Sequence, residues 1–160
     1  MAVSTSKKVV VERFDREPLK GFVNPQTYLR ADGLELISTN GVLLEIPFED
    51  VKAVCFVRDF NADEPPEKRT FLSRPKTDGL WVRLRFRDGE VIDGLMPNNL
   101  LRWEPQGYTF VPPNPSSNNQ KVFVPRTAVT EVQVLGVVGS PLKTRRAKGR
   151  PRAEQMGLFE

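Results

Sequence analysis

The chain has 160 residues, 39% of them apolar, enough for one ordinary domain or two very small ones with a modest core. It has no histidine and a single cysteine, Cys55, which together exclude a Ser-His-Asp triad, a Cys-His pair, the usual zinc sites and an internal disulfide. The net charge of +4 is unevenly placed, because residues 1–142 carry 18 Lys+Arg against 18 Asp+Glu whereas residues 143–160 carry 6 against 2; attraction to a polyanion therefore belongs to the tail.

Short runs of Val, Phe, Leu and Ile, punctuated by Asp-Gly and Asn-Gly and lacking any long helical period, predict an all-β protein. There is no basic-then-apolar leader and no apolar run of membrane-spanning length, so the expected location is the cytoplasm, with no membrane contact. The first strand ends in Arg13-Phe14 and enters a tight acidic turn. The second carries Gly21, where the missing side chain permits a sharp bend. Strands over Leu34–Ser38 and Val42–Ile46 follow; Pro47 then starts a single helical turn, "FED", that leads into a last strand over Val51–Val57.

The second half repeats this order. "RFRDGEVIDGLM" from Arg85 matches "RFDREPLKGFV" from Arg13, with Gly94 in the place of Gly21, and "VPRTAVTEVQVL" from Val124 matches "IPFEDVKAVCFV" from Ile46. Strands are expected over Tyr108–Val111, Lys121–Val124 and Val129–Leu135, with Pro125 opening the second helical turn. This order of features is that of Sm-like and SH3-like barrels, and it predicts two fused five-stranded small barrels. The first spans residues 1–60, a connector 61–78, the second barrel 79–138, and a disordered basic tail 139–160. Phe60, Phe71 and Leu72 are expected to fasten the ends of the connector.

Two details separate the halves. Glu12 stands where the second copy has Leu84, which leaves the alternation of the first strand ambiguous. In the last strand Ala53, Cys55 and Val57 match Glu131, Gln133 and Leu135, so the first copy is apolar on both faces and its second face should be covered by the other barrel or the connector. Cys55 then reads as a core thiol.

No chemistry is assigned: the acidic residues sit in "FDRE", "FED", "NADEPPE" and "RDGE", which read as turns and solvated loops. The expectation is no catalytic residue, no cofactor and no metal. Arg83, Arg85 and Arg87 alternate along one strand and share a face, a candidate anion surface that competes with pairing to Glu90 and Asp93 on the return strand. Trp81, Trp103 and Tyr108 fit either a core or a base-stacking platform. "SSNNQ" reads as a hairpin loop.

In their order, "VKAVCFVRDF", "VRLRFRDGEVIDG" and "PSSNNQKVFVPRTAV" resemble a bacterial domain of unassigned function over about Val9 to Leu135, although Cys55 stands where an aromatic is expected. The resemblance implies a bacterial, non-catalytic accessory domain. A weaker likeness, to cyclic-dinucleotide receptors of the PilZ type, rests on the Arg-x-x-x-Arg of Arg83 and Arg87 and the Ser-x-x-Gly of Ser38–Gly41. Their order is reversed relative to that family, and Leu36 occupies the place of its acidic or amide residue.

The tail carries two further resemblances. Lys148-Gly149-Arg150-Pro151-Arg152 resembles the core of an AT-hook, an extended unit that slides arginines into the narrow minor groove of A/T-rich DNA; with Arg145 and Arg146 it forms a candidate DNA contact. Gln155-Met156-Gly157-Leu158-Phe159 resembles the pentapeptide by which bacterial replication and repair proteins attach to the polymerase sliding clamp. In such a peptide Leu158 and Phe159 would enter an apolar pocket while Gln155 hydrogen-bonds at a second point, and Met156 falls where variation is tolerated. The expected function is a non-enzymatic bacterial adaptor, tethered to DNA by its tail and to the clamp by QMGLF. The alternative is a signalling accessory domain that binds a small ligand or partner protein through the barrels.

Overall fold

The structure, a computed structural model, describes residues 6–60, 70–71, 73–113 and 118–139. The middle of the connector, Leu72 and the basic tail lie outside the described residues. Among the described residues ten strands follow one another: β1 (Lys7–Arg13), β2 (Arg16–Val23), β3 (Gly33–Ser38), β4 (Leu43–Pro47), β5 (Val51–Val57), β6 (Gly79–Phe86), β7 (Val91–Met96), β8 (Gly107–Phe110), β9 (Asn119–Pro125) and β10 (Val129–Val138). Among the described residues the helical content is three single 3-10 turns, at Phe48–Asp50, Leu100–Arg102 and Arg126–Ala128. The protein is all-β, and no helix among the described residues is long and apolar enough to cross a membrane.

Two of the helical turns fall where the prolines put them. Pro47 and Pro125 are extended, with φ −61° and −68°, close to the value their rings impose, and each closes a strand and releases the chain into one turn. The third, Leu100–Arg102, was not legible as such; its start is capped by Asn99, whose side chain accepts from the Leu101 N–H at 3.1 Å. β10 also runs three residues beyond the predicted Leu135.

Every ladder is antiparallel. β1 pairs with β2 and β5, β3 with β4, and β6 with β7 and β10. β2 meets β3 through only two residue pairs, Gly21↔Ser38 and Phe22↔Ile37. The strand keeps β1 on one side and gains β3 on the other at the glycine, where a Cβ would collide with the Ile37 carbonyl and the Leu36 side chain. Gly94 works similarly in β7: its bare Cα makes room for the Phe110 ring, and the next residue, Leu95, bridges to Val111 just past β8. In both halves, then, the first strand pairs with the second and with the fifth.

The ambiguity at Glu12 has a structural cause. The register of β1 shifts between Val11 and Arg13 against β2 and between Glu12 and Arg13 against β5, so the strand carries a bulge where simple alternation fails.

The halves join through β5 and β9, with Val54 opposite Phe123, Cys55 opposite Val122 and Phe56 opposite Lys121. One seven-stranded sheet results, in the order β4-β3-β2-β1-β5-β9-β8, beside a three-stranded sheet, β10-β6-β7. Each junction strand serves two cores. Val54 and Phe56 of β5 join Phe123 of β9 in one cluster with Val9, Val11, Leu34 and Leu36. Ala53, Cys55 and Val57 point the other way, into a cluster with Val82, Leu84, Phe86, Phe110, Val122 and Val124. The apolar second face of β5 is therefore covered by the second half, and Cys55 is a core residue. Asn118 stitches the far end of the junction: its side-chain oxygen accepts from the N–H groups of Arg58 and Asp59 at 3.1 and 2.9 Å, and its amide donates to the Asp59 carbonyl at 2.9 Å.

Candidate functional site

The three alternating arginines begin on β6, whose outward face they share, but each guanidinium is directed at a different protein group. Arg83 donates through Nε and Nη2 to the two oxygens of Asp93, at 2.7 and 3.0 Å, the cross-strand partner that the register assigns it. Asp93 is fully buried, and it also accepts from the Phe71 N–H at 3.3 Å and the Trp81 indole at 3.5 Å. A buried carboxylate needs that many donors to offset the loss of water. Its hydrogen bond holds the Arg83 guanidinium above its ordinary pKa. The Phe71 ring packs edge-on against Trp81, with centroids 6.1 Å apart, so Asp93 fixes the returning end of the connector onto the second half.

Arg85 lies 3.5 Å from Glu131 on β10, both side chains about half exposed. Arg87, just past the strand, stacks on Phe14 at 3.9 Å and donates to the carbonyls of Thr127 and Glu49, at 3.1 and 3.0 Å. It thereby ties together the helical turns of the two halves, which also touch through the Thr127 hydroxyl donating to the Phe48 carbonyl at 3.3 Å. A PilZ-type reading requires Arg83 and Arg87 to face a ligand; here one serves Asp93 and the other the junction. The Ser38–Gly41 element forms the β3–β4 turn, where the Ser38 hydroxyl accepts from the Val42 N–H at 3.1 Å and Gly41 takes φ +88°.

A second charged cluster, which the sequence reading passed over, sits at the mouth of the junction. Lys52 of β5 meets Asp88 at 2.8 Å and also Glu90, both on the β6–β7 turn, with its ammonium 5.0 Å from the centre of the Phe86 ring. Burial pulls the Lys52 pKa down, but the two carboxylates more than offset this and the net shift is upward. The hydrogen bond from Lys52 in turn holds Asp88 below the ordinary carboxylate range. Lys52 and Asp88, with Arg13, Phe14, Asp15 and Arg87, line an open cleft of about 550 Å³. The available signal was a lone lysine in the otherwise apolar "VKAVCFV". Asp93 carried a weaker one, an acid two residues into a strand opposite an arginine.

Of the aromatic candidates, Trp103 and Tyr108 pack edge-on at 6.5 Å and against the second core, and the Trp103 indole donates to the Pro97 carbonyl at 2.9 Å. Among the described residues no group of three or more His, Cys, Asp or Glu side chains is arranged to hold a metal ion. Arg145, Arg146, Lys148, Arg150, Arg152, Gln155, Met156, Leu158 and Phe159 lie outside the described residues.

Strand order and polar architecture define an all-β protein whose two halves are joined through a shared seven-stranded sheet, with its strongest polar groups holding connector and junction in place. The chain belongs to a family of unknown function (DUF6982), whose model matches residues 5–136. The match spans all the strands up to Gly136 and stops short of the basic tail. No curated protein and no solved structure matches the chain.

Proposed function

We propose that the chain is a non-enzymatic bacterial adaptor of the cytoplasm. Two Sm-like barrels, one repeated from the other, form its body, and a basic tail contacts DNA and presents Gln155-Met156-Gly157-Leu158-Phe159 to a sliding clamp. The observation that carries the reading is the sequence "KGRPRAEQMGLF" itself, in which two large apolar side chains follow a segment too basic and too broken by Gly and Pro to pack. The body supports it indirectly. Its strand arginines are engaged by Asp93, Glu131 and the junction carbonyls, and its charges balance, so the excess of cations available to a polyanion is that of residues 143–160.

The mechanism is effective concentration. Phosphate contacts from Arg145, Arg146, Lys148, Arg150 and Arg152 keep the peptide near the DNA on which the clamp travels, and Leu158 and Phe159 supply the apolar anchor. A fluorescent peptide, Arg152 to Glu160, titrated with purified bacterial clamp tests it. Saturable binding that weakens at least tenfold on Leu158→Ala or Phe159→Ala is expected; equal binding by all three peptides overturns the reading.

A further inference from the structure

The junction inside the chain joins unlike edges: the fifth strand of the first half, β5, pairs with the fourth strand of the second, β9. Such a head-to-tail contact uses one edge of each half and leaves the reciprocal pair over. Among the described residues the fourth strand of the first half, β4, pairs only with β3, and the fifth strand of the second half, β10, pairs only with β6. We propose that these two edges pair between copies of the chain, β10 of one against β4 of the next, in the register that β5 and β9 use internally.

The register can be written down. With Ile46-Pro47 set on Val124-Pro125, as the two helical turns require, Leu43 corresponds to Lys121 and Glu45 to Phe123, while Val132 and Val134 correspond to Val54 and Phe56. The internal pairs Val54↔Phe123 and Phe56↔Lys121 thus become Val132↔Glu45 and Val134↔Leu43 between copies. Leu43 and Val134 are each 58% exposed, and other exposed apolar side chains lie next to them: Ile37 on β3 opposite Leu43 and Val42 just before β4 on one side, Leu135 and Val137 along β10 on the other. Two apolar patches that water would otherwise cover are brought together by a register taken from elsewhere in the molecule.

Internally the apolar pair is Val54 with Phe123 and its neighbour is an aromatic facing a lysine; between copies the apolar pair sits one step further along, and its neighbour is Val132 facing Glu45. A carboxylate there weakens the contact without blocking it, since Glu45 is exposed and at the sheet edge. Association is therefore weak, reversible and open-ended, because a head-to-tail contact between identical chains builds rings or chains, not a closed pair. This proposal concerns the strands and is independent of what the tail binds.

Sedimentation of the full chain from about 1 μM to about 1 mM should show a weight-average mass that climbs past two copies, and Glu45→Phe should shift the rise to at least tenfold lower concentration. Orientation is read by oxidative cross-linking in a Cys55→Ser background. Leu43→Cys and Val134→Cys, both at exposed positions, should give a covalent dimer only when mixed, and the double variant a ladder. A single-chain mass throughout the range, no product from the mixture, or equal product from either single variant alone overturns the proposal.

Discussion

β5 and β10 occupy the same place in the strand order of the two halves, and they meet opposite fates. Each follows a proline-started helical turn and each pairs with the first strand of its own half. β5 is buried along almost its whole length, whereas β10 is exposed at most positions. The difference is present on both faces: Ala53, Cys55 and Val57 face a second core where Glu131 and Gln133 face water, and Phe56 is buried where Val134 is exposed. A strand between two layers reads as an unbroken apolar run, and a strand at an edge keeps the alternation of a one-sided sheet. The apolar second face of β5 thus marks it, and not β10, as the strand that joins the halves.

Exchanging the residues breaks the comparison most directly. Ala53→Glu, which writes the β10 residue into β5, places a carboxylate in the second core opposite Glu12 on β1 and should cost about 5 kcal/mol, a large part of the stability of a small domain. The reverse change, Glu131→Ala, should stay within about 0.5 kcal/mol. Urea midpoints of the two variants check the asymmetry.

The other side of the junction comes next. Phe123 is fully buried and reaches from the second half into the first core, edge-on to Tyr28 at 6.2 Å. Phe123→Ala should cost about 4 kcal/mol, while Ala at the corresponding Glu45 should cost almost nothing. Coincident loss of both halves on thermal melting is the expected signature; survival of one half at the wild-type midpoint counts against shared cores.

Most of this architecture was legible. Strand periods, the two prolines and the two glycines located nearly every element, and the apolar second face of β5 pointed to a cover. What sequence could not convey was partner choice: nothing in "NNQKVFVP" says that β9 lies against β5, because pairing is a long-range choice made by the packing of Phe123 and Asn118. Alternation put Arg83, Arg85 and Arg87 on one face, but it could not show that Asp93 is buried with Arg83 or that Arg87 turns to Thr127 and Glu49, since those contacts depend on where the connector and the helical turns come to rest.

Asp93 sharpens the contrast on a smaller scale. Asp93→Ala leaves the Phe71 N–H and the Trp81 indole without their acceptor and should cost about 2 kcal/mol. Trp81 fluorescence should shift to the red as the connector end lifts, whereas Glu90→Ala on the exposed side of the same hairpin should leave the spectrum unchanged.

The smallest effect is electrostatic. Lys52→Met keeps the contact with Phe86 and removes both ion pairs, at a cost of about 1 kcal/mol or less because Asp88 and Glu90 are partly solvated. The raised Lys52 pKa means that its contribution is complete below its ordinary value of 10.5 and fades as pH rises through the folded value. The lowered Asp88 pKa means that its contribution is complete above 3.8 and fades as pH falls through the folded value. The stability difference between wild type and Lys52→Met should therefore be flat across the neutral range and shrink at both extremes.

The division of labour between a self-contained strand body and a tail that reaches other molecules is tested most directly by clamp binding of the full chain beside a chain ending at Gly139, with the far-UV spectrum of each recorded. The account predicts equal strand signal per residue of body and binding by the full chain alone. Undiminished binding by the shortened chain would contradict it.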